Sequence, residues 1–298
     1  MSFRIDRRKF LKASGAVAGM MALSPSRLFS KNKPTLSFGI VTDSHYADRA
    51  FSGDRYYRES VAKMGEAMDE MNKQKVDFVV HLGDFKDQAE KPTESTTLEF
   101  LKKIESVYAN FKGPRYHVLG NHDMDSISKE QFLVNVLNTG IPNTKSFYSF
   151  DKKGIHFVVL DACYTKEGVS YDKGNFVWSD CFIPANQIDW LRKDLSATNL
   201  PTIVFVHQLL DDADDKQLCV FNAPEVRKVL SESAKVLAVF QGHQHKNRYS
   251  FVDDIHYCTL PGMVDFSGLE NNCYTVVKVE DSGVNMIGYK RASSRKMG

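Results

Sequence analysis

Tyr116-His117-Val118-Leu119-Gly120-Asn121-His122-Asp123 reads as a short apolar run that stops in a polar turn. The run has the character of a buried strand. Gly120 permits a sharp turn, and the next three side chains offer an amide oxygen, an imidazole and a carboxylate. Such a loop suits chemistry; it equally suits an Asx-type turn with incidental polar residues. The rest of the chain decides between the two.

Upstream, the pattern occurs twice more. Residues 36–41 form an apolar run ending at Thr42-Asp43-Ser44-His45, and residues 76–82 form another ending at Gly83-Asp84. Between them, Tyr57, Val61, Met64, Met68 and Met71 recur at three- and four-residue spacing, which predicts an amphipathic helix over 56–74 with these residues in the core. Leu98, Leu101, Ile104, Val107 and Tyr108 predict a second helix over 96–111. With residues 115–119 as the third strand, the order is strand, helix, strand, helix, strand, the sign of parallel strands joined by crossover helices.

Downstream, the spacing predicts a helix over 128–138 and a hairpin of 146–151 with 155–161 around Lys152-Lys153-Gly154. A long loop follows over 162–184, then a helix over 185–197. A strand over 202–206 ends at His207, and after a helix over 223–233 a strand over 236–241 ends at Gly242-His243-Gln244-His245. Further strands are expected near 248–252, 255–260, 273–279 and 284–290. No linker, low-complexity tract or repeat interrupts residues 31–298, so one domain is expected there.

Five apolar runs therefore end in polar clusters: Asp43/His45, Asp84, Asn121/His122/Asp123, His207 and His243/His245. In open α/β sheets ligands bind beyond the carboxyl ends of the strands, so these side chains are expected to converge. Singly, each has a plainer role: Asp43 as a turn cap, His207 as a core histidine, His243 and His245 as exposed loop residues. Together they offer carboxylate, amide and imidazole donors, a mixture suited to Mn, Fe, Zn, Co or Ni. An all-oxygen set would suggest Mg or Ca. Leaving His122 and Asp123 aside, the seven donors are too many for one ion. They suffice for two ions sharing a carboxylate, the arrangement that serves in-line phosphoryl displacement.

The N-terminus reads differently. Asp6-Arg7-Arg8-Lys9-Phe10-Leu11-Lys12 precedes an apolar, small-residue run over 13–23, the layout of an export signal. The run is short for a membrane span, and the paired arginines resemble a twin-arginine signal. Residues 1–30 are expected to be that signal, directing the protein through the twin-arginine export machinery to a bacterial periplasm or the medium. The alternative is an amphipathic helix of the mature fold. With no cysteine near the end of the apolar run, a lipid anchor is not expected. Residues 1–30 carry six Lys/Arg and one acid, so a chain of net charge +2 leaves about −3 on residues 31–298. That balance gives no electrostatic footprint for nucleic acid, and none is expected as a partner. The five cysteines, Cys163, Cys181, Cys219, Cys258 and Cys273, form no metal-knuckle spacing or paired framework. They are expected to be mostly buried; one pair could oxidise after export, and the sequence does not say which.

Asp43-x-His45, Gly83-Asp84, Gly120-Asn121-His122-Asp123, His207 and Gly242-His243-x-His245 stand in the order and approximate spacing of the calcineurin-like metallophosphoesterases. The chain resembles that family from about residue 36 to about 289. The resemblance implies an α/β fold, a four-layer αββα sandwich of two mixed β-sheets flanked by helices. It implies that Asp43, His45 and His245 hold one divalent transition-metal ion (Mn, Fe or Zn), that Asn121, His207 and His243 hold a second, and that Asp84 bridges them. A hydroxide between the ions would attack phosphorus, and His122 would act as general acid or charge stabiliser, oriented by Asp87 or Asp123. Asp87 occupies the position where purple acid phosphatases carry a tyrosine ligand, which argues against that subfamily. Tyr46-Ala47-Asp48, Asp54-Arg55-Tyr56-Tyr57-Arg58-Glu59-Ser60, Leu160-Asp161-Ala162 and the stretch from Cys219 to Leu230 are similar to the manganese-dependent ADP-ribose/CDP-alcohol diphosphatases. On that likeness Arg55 and Tyr56 would contact a second phosphate and a base or ring; alternatively they open a helix whose tyrosines pack inward. The expected substrate is a small phosphorylated molecule such as ADP-ribose or a CDP-alcohol. Other phosphomonoesters or phosphodiesters, and a non-catalytic scaffold, are the alternatives.

Overall fold

The computed structural model describes residues 36–211, 213–281 and 283–298; the export signal expected over 1–30 lies outside them. Two six-stranded sheets face each other. The first contains β1 (Leu36–Val41), β2 (Phe78–His81), β3 (Arg115–His117), β10 (Cys273–Glu280), β11 (Gly283–Lys290) and β12 (Arg295–Met297), in the order β12-β11-β10-β1-β2-β3. The second contains β4 (Tyr148–Lys152), β5 (Ile155–Val159), β6 (Thr202–Phe205), β7 (Val236–Gln241), β8 (Arg248–Val252) and β9 (Ile255–Thr259), in the order β4-β5-β6-β7-β9-β8. β1, β2 and β3 run parallel, as do β5, β6, β7 and β9, while the outer strands β10–β12, β4 and β8 pair antiparallel. Both sheets are thus mixed, as expected.

Strand alternation builds the layers. Phe38 and Ile40 of β1 point between the sheets, where Phe38 stacks on Phe78 at 5.0 Å and meets Phe157, Phe205 and Phe240 edge-on. Val41 points outward beneath helices α1 (Ser60–Gln74) and α2 (Glu94–Tyr108), against Met64, Met68, Met71, Leu101 and Ile104. The methionines are core, as their spacing predicts. A side chain at Gly39 would collide with Met71, so a bare backbone there lets α1 sit close on the sheet. On the far side, α4 (Ala185–Ala197) and α5 (Ala223–Glu232) cover Val204, Val206 and Val239. Helix, sheet, sheet, helix is the four-layer αββα sandwich.

The differences from expectation have local causes. The first helix starts at Ser60, not 56, because the Tyr56 N–H pairs with the Val264 carbonyl, which keeps that residue in the loop. Helix α3 (Lys129–Asn135) opens on a reciprocal Ser128–Gln131 cap and stops before Asn138. The Asn138 side chain accepts from the His117 N–H at 2.6 Å and from the Tyr148 hydroxyl at 3.0 Å, and so is held against β3 and β4. β12 is three residues with no apolar period, and only its pairing to β11 makes it a strand. The 162–184 stretch is a loop, anchored by Lys129, whose buried ammonium donates to Asp161 at 2.7 Å and to the Cys163 carbonyl at 3.1 Å. All five cysteines are free, four buried and Cys219 half-buried. No described helix is long and apolar enough to cross a membrane.

Candidate metal centre

The five polar strand ends meet between the C-terminal edges of β1, β2 and β3 in one sheet and β6 and β7 in the other. Asp43, His45, Asp84, Asn121, His207 and His243 are buried or nearly so, and His245 is slightly open. Besides His45 with Asp84 and His122, and Asp87 with His122 and Asp125, two groups of predicted ligands form, each with its donor atoms within 4.8 Å of one another: Asp43 with His45 and His245, and Asp84 with His207 and His243. Asp84 links them, because its Oδ2 lies 3.4 Å from His45 Nε2 and 3.2 Å from His207 Nε2. Its other oxygen accepts the His122 N–H at 2.8 Å.

The backbone is bent to this purpose. Asp43, His45, Asp84, His243 and His245 all have φ between 43° and 67°, a left-handed conformation that costs non-glycine residues about 1–3 kcal/mol each. Such strain persists only where the surroundings fix it. Here the Asp43 and His45 N–H groups bond the carbonyls of Gly83 and Asp84 at 3.0 and 2.9 Å. A Cβ on Gly120 would strike the Asp84 carboxylate, and one on Gly242 would come within 2.6 Å of Asp43 Oδ2. Glycine at these two positions lets the loops close on one another.

Partners of the ring nitrogens set which atoms face inward. His207 Nδ1 donates to the Leu82 carbonyl at 2.8 Å, leaving the Nε2 lone pair toward the cluster. His245 Nδ1 bonds Asp265 at 2.9 Å, and its Nε2 lies 3.2 Å from Asp43 Oδ1. His45 Nδ1 bonds Asp87 at 3.3 Å. A carboxylate or carbonyl behind a histidine is the usual way a metal-binding ring is oriented. Asn121 Oδ1, His207 Nε2 and His243 Nε2 are buried and make no hydrogen bond. His207 and His243 lie in one group with the Asp84 carboxylate, and buried donor atoms without hydrogen-bond partners there fit a cation.

The charge balance says the same. Burial alone would raise the Asp43 and Asp84 pKa values, yet both lie well below the usual carboxylate range because of the surrounding histidines, His245 and His207 for Asp43, His207, His122 and His45 for Asp84. In return, and against the effect of burial, Asp84 and Asp43 push His207 up to about 9, and Asp43 with Asp265 pushes His245 up to about 9. Burial, with His207 adding to it, takes His243 down to about 3. The carboxylates thus draw positive charge into a dry site, and a divalent ion would supply it while releasing protons from the imidazoles.

His122 stands at the rim, about a quarter exposed. Its Nδ1 bonds Asp125 at 2.8 Å, and Asp87 lies 3.7 Å away. Burial works against its protonation, but Asp84, Asp125 and Asp87 outweigh that and raise it to about 10. Of the two carboxylates expected to orient this ring, Asp87 lies beside it at ion-pair distance and Asp123 is engaged elsewhere; Asp125 is its hydrogen-bond partner. Asp87 serves chiefly His45. Asp123 accepts the N–H groups of Gly120 at 2.8 Å, Asp84 at 3.1 Å and Phe85 at 2.8 Å, so it holds the two loops together. Lys86, buried, donates to the His122 carbonyl. Asp125 was missed although it lies three residues after His122; the 3-10 turn Asn121–Met124 that makes this spacing a contact has no apolar signature. Asp265 was missed because no motif marks it.

Arg55 and Tyr56 lie at the mouth and outside the cluster. The Tyr56 N–H bonds the Val264 carbonyl at 2.9 Å, and Arg55 pairs backbone to backbone with Asp265, the partner of His245. Tyr56, half-buried, stacks on exposed Phe51 at 5.3 Å, whereas Tyr57 packs inward as the alternative reading expects. From the other flank, half-exposed Trp178 comes within 5.7 Å of the His243 ring.

Residues 36–247 match the calcineurin-like phosphoesterase family, and the chain belongs to it. It is a metallophosphoesterase, a hydrolase of phosphoric ester or diphosphate bonds. Its relatives include the manganese-dependent ADP-ribose/CDP-alcohol diphosphatases of Oryza sativa subsp. japonica, 28% identical with 79% of this chain and 86% of the relative covered, and of Arabidopsis thaliana, 26% identical with 88% and 96% covered. A dimetal phosphatase from Danio rerio has a similar fold, with a TM-score of 0.77 at 19% identity, covering 89% of this chain and 99% of that one. Residues 4–24 match the signal sequence of the twin-arginine translocation pathway, which indicates export.

Proposed function

We propose that the protein is an exported dinuclear phosphohydrolase acting on a nucleoside diphosphate derivative such as ADP-ribose or a CDP-alcohol. Asp43, His45 and His245 would hold one ion, Asn121, His207 and His243 the other, with Asp84 between. The observation carrying this is the position of Asp84 Oδ2 between His45 and His207, with His243 in the same group as Asp84 and His207. Two divalent ions, of which manganese is the one named for the relatives, supply Lewis acidity to water and phosphoryl oxygens. Asp84 keeps one oxygen on the His122 N–H and so stays aimed. His122, with Nδ1 engaged by Asp125, offers Nε2 to the leaving oxygen as general acid. Asp265 and Asp87 fix the rings of His245 and His45.

Three features favour a diphosphate with a ring over a small monoester. The relatives' names give that class. Arg55 is half-buried, and no hydrogen bond or ion pair of its guanidinium occurs among the described residues, which leaves it for a second phosphate. Phe51, Tyr56 and Trp178 offer ring faces on two flanks. The test is a panel of an aryl phosphate monoester, an aryl phosphate diester, ADP-ribose and CDP-choline on manganese-loaded protein. Turnover of the last two is expected; activity confined to the aryl esters overturns the substrate reading.

Residues 1–30 are read as the export signal and 31–298 as the catalytic domain, delivered to a bacterial periplasm or the medium. Changing Arg7 and Arg8 to Lys is expected to leave the protein in the cytoplasmic fraction. Unchanged export would contradict the signal. A twin-arginine route suits this site, since a folded protein takes its metals before leaving.

A further inference from the structure

We propose that Cys181 and Cys219 are a redox pair that closes to a disulfide after export, tying the 162–184 loop to the segment before α5. Disulfides persist in oxidising compartments, where the twin-arginine signal sends this chain. Among the described residues one cysteine side chain touches another cysteine: Cys181 Sγ lies 3.3 Å from the Cys219 carbonyl oxygen. The other three sulfurs face different neighbours. Cys163 Sγ meets the Leu119 carbonyl, Cys258 Sγ lies 3.4 Å from Met297 Sδ, and Cys273 Sγ lies 3.1 Å from the Pro261 carbonyl.

The two segments are already laced together. The Phe221 N–H donates to the Cys181 carbonyl at 2.8 Å. The Asn222 side chain accepts from the Ile183 N–H at 3.1 Å and donates to the Ile183 carbonyl at 2.9 Å. The Cys181 sulfur thus already reaches the Cys219 main chain, and a disulfide requires the two Cα atoms to lie within about 7 Å. The Cys219 thiol now rests 3.4 Å from the Asp211 carbonyl, so closure requires it to turn from there toward Cys181.

The chemistry is thiol–disulfide exchange with a small-molecule or protein disulfide as oxidant. Half-buried Cys219 is the accessible partner. Its thiolate attacks one oxidant sulfur, forming a mixed disulfide and expelling a thiolate that takes up a proton. Cys181, deprotonated, then attacks the Cys219 sulfur and expels the second oxidant thiolate, which is protonated in turn. Two protein thiols are oxidised and one oxidant disulfide is reduced. Burial raises both thiol pKa values, that of Cys181 to about 12, so closure is slow at neutral pH and faster above it. The bond would fix the wall that carries Trp178 beside His243.

The test is incubation of the full metal-loaded protein with oxidised glutathione, followed by denaturation, alkylation and non-reducing peptide mapping. The expected result is loss of two of the five free thiols, with the Cys181 and Cys219 peptides joined and restored by dithiothreitol. Cys181→Ser should stop the reaction at a glutathione adduct on Cys219. Five alkylated thiols, a persistent adduct on wild-type Cys219, or a bridge between any other pair would overturn the proposal.

Discussion

Asp84→Ala is expected to lose metal and to turn over substrate at least roughly 10²–10³-fold more slowly, the scale on which removal of one charge-stabilising group acts. Asp84 approaches both His45 and His207 more closely, at 3.4 and 3.2 Å, than Asp43 does, at 3.7 and 3.9 Å. Its oxygens face three histidines, each held by a carbonyl or a carboxylate behind the ring. Removing it takes away the charge that draws protons onto His207 and His122 and would draw metal ions in their place. The fold should survive, since the loop is still held by Asp123 through the N–H groups of Gly120, Asp84 and Phe85. Metal analysis with a circular dichroism control separates the two effects. Full turnover in this variant would remove the bridging role.

The second large effect is expected at His122, and it has a different signature. His122→Ala should retain metal and lower kcat by about 10²–10⁴-fold, the range for loss of a positioned proton donor. His122 contributes its backbone N–H to Asp84, and alanine keeps that bond. The imidazole bonds Asp125, and although its ring lies 4.7 Å from that of His45, it belongs neither to the group of Asp43 and His245 nor to that of His207 and His243. If it protonates the leaving oxygen, the loss should shrink for aryl esters whose leaving group needs no proton. Equal losses for alkyl and aryl leaving groups would assign it to charge stabilisation, and lost metal would make it a ligand.

The sequence makes the strand ends legible because each candidate ligand follows closely on an apolar run: Val41 before Thr42-Asp43, Leu82 before Gly83-Asp84, Leu119 before Gly120-Asn121, Val206 before His207, Phe240 with Gln241 before Gly242-His243. Parallel strands put those ends on one edge, so adjacency along the chain is enough to predict convergence. The groups behind the ligands are a different matter. Asp265 reaches His245 from a loop twenty residues on, and the His207 ring is set by a main-chain carbonyl at Leu82, for which no residue type is a marker. Asp123 and Asp125 have the same chemistry and nearly the same address. Only the 3-10 turn sends one to the backbone of the Asp84 loop and the other to His122. The placing of Arg55 and Tyr56 likewise depends on main-chain bonds to residues 264–266, on the far side of the sequence.

The central claim is a site for two ions, and metal content tests it most directly. Protein stripped of metal, reconstituted with manganese and freed of excess should hold two ions per chain by elemental analysis. One ion or none, in protein that remains folded, would contradict the dinuclear account.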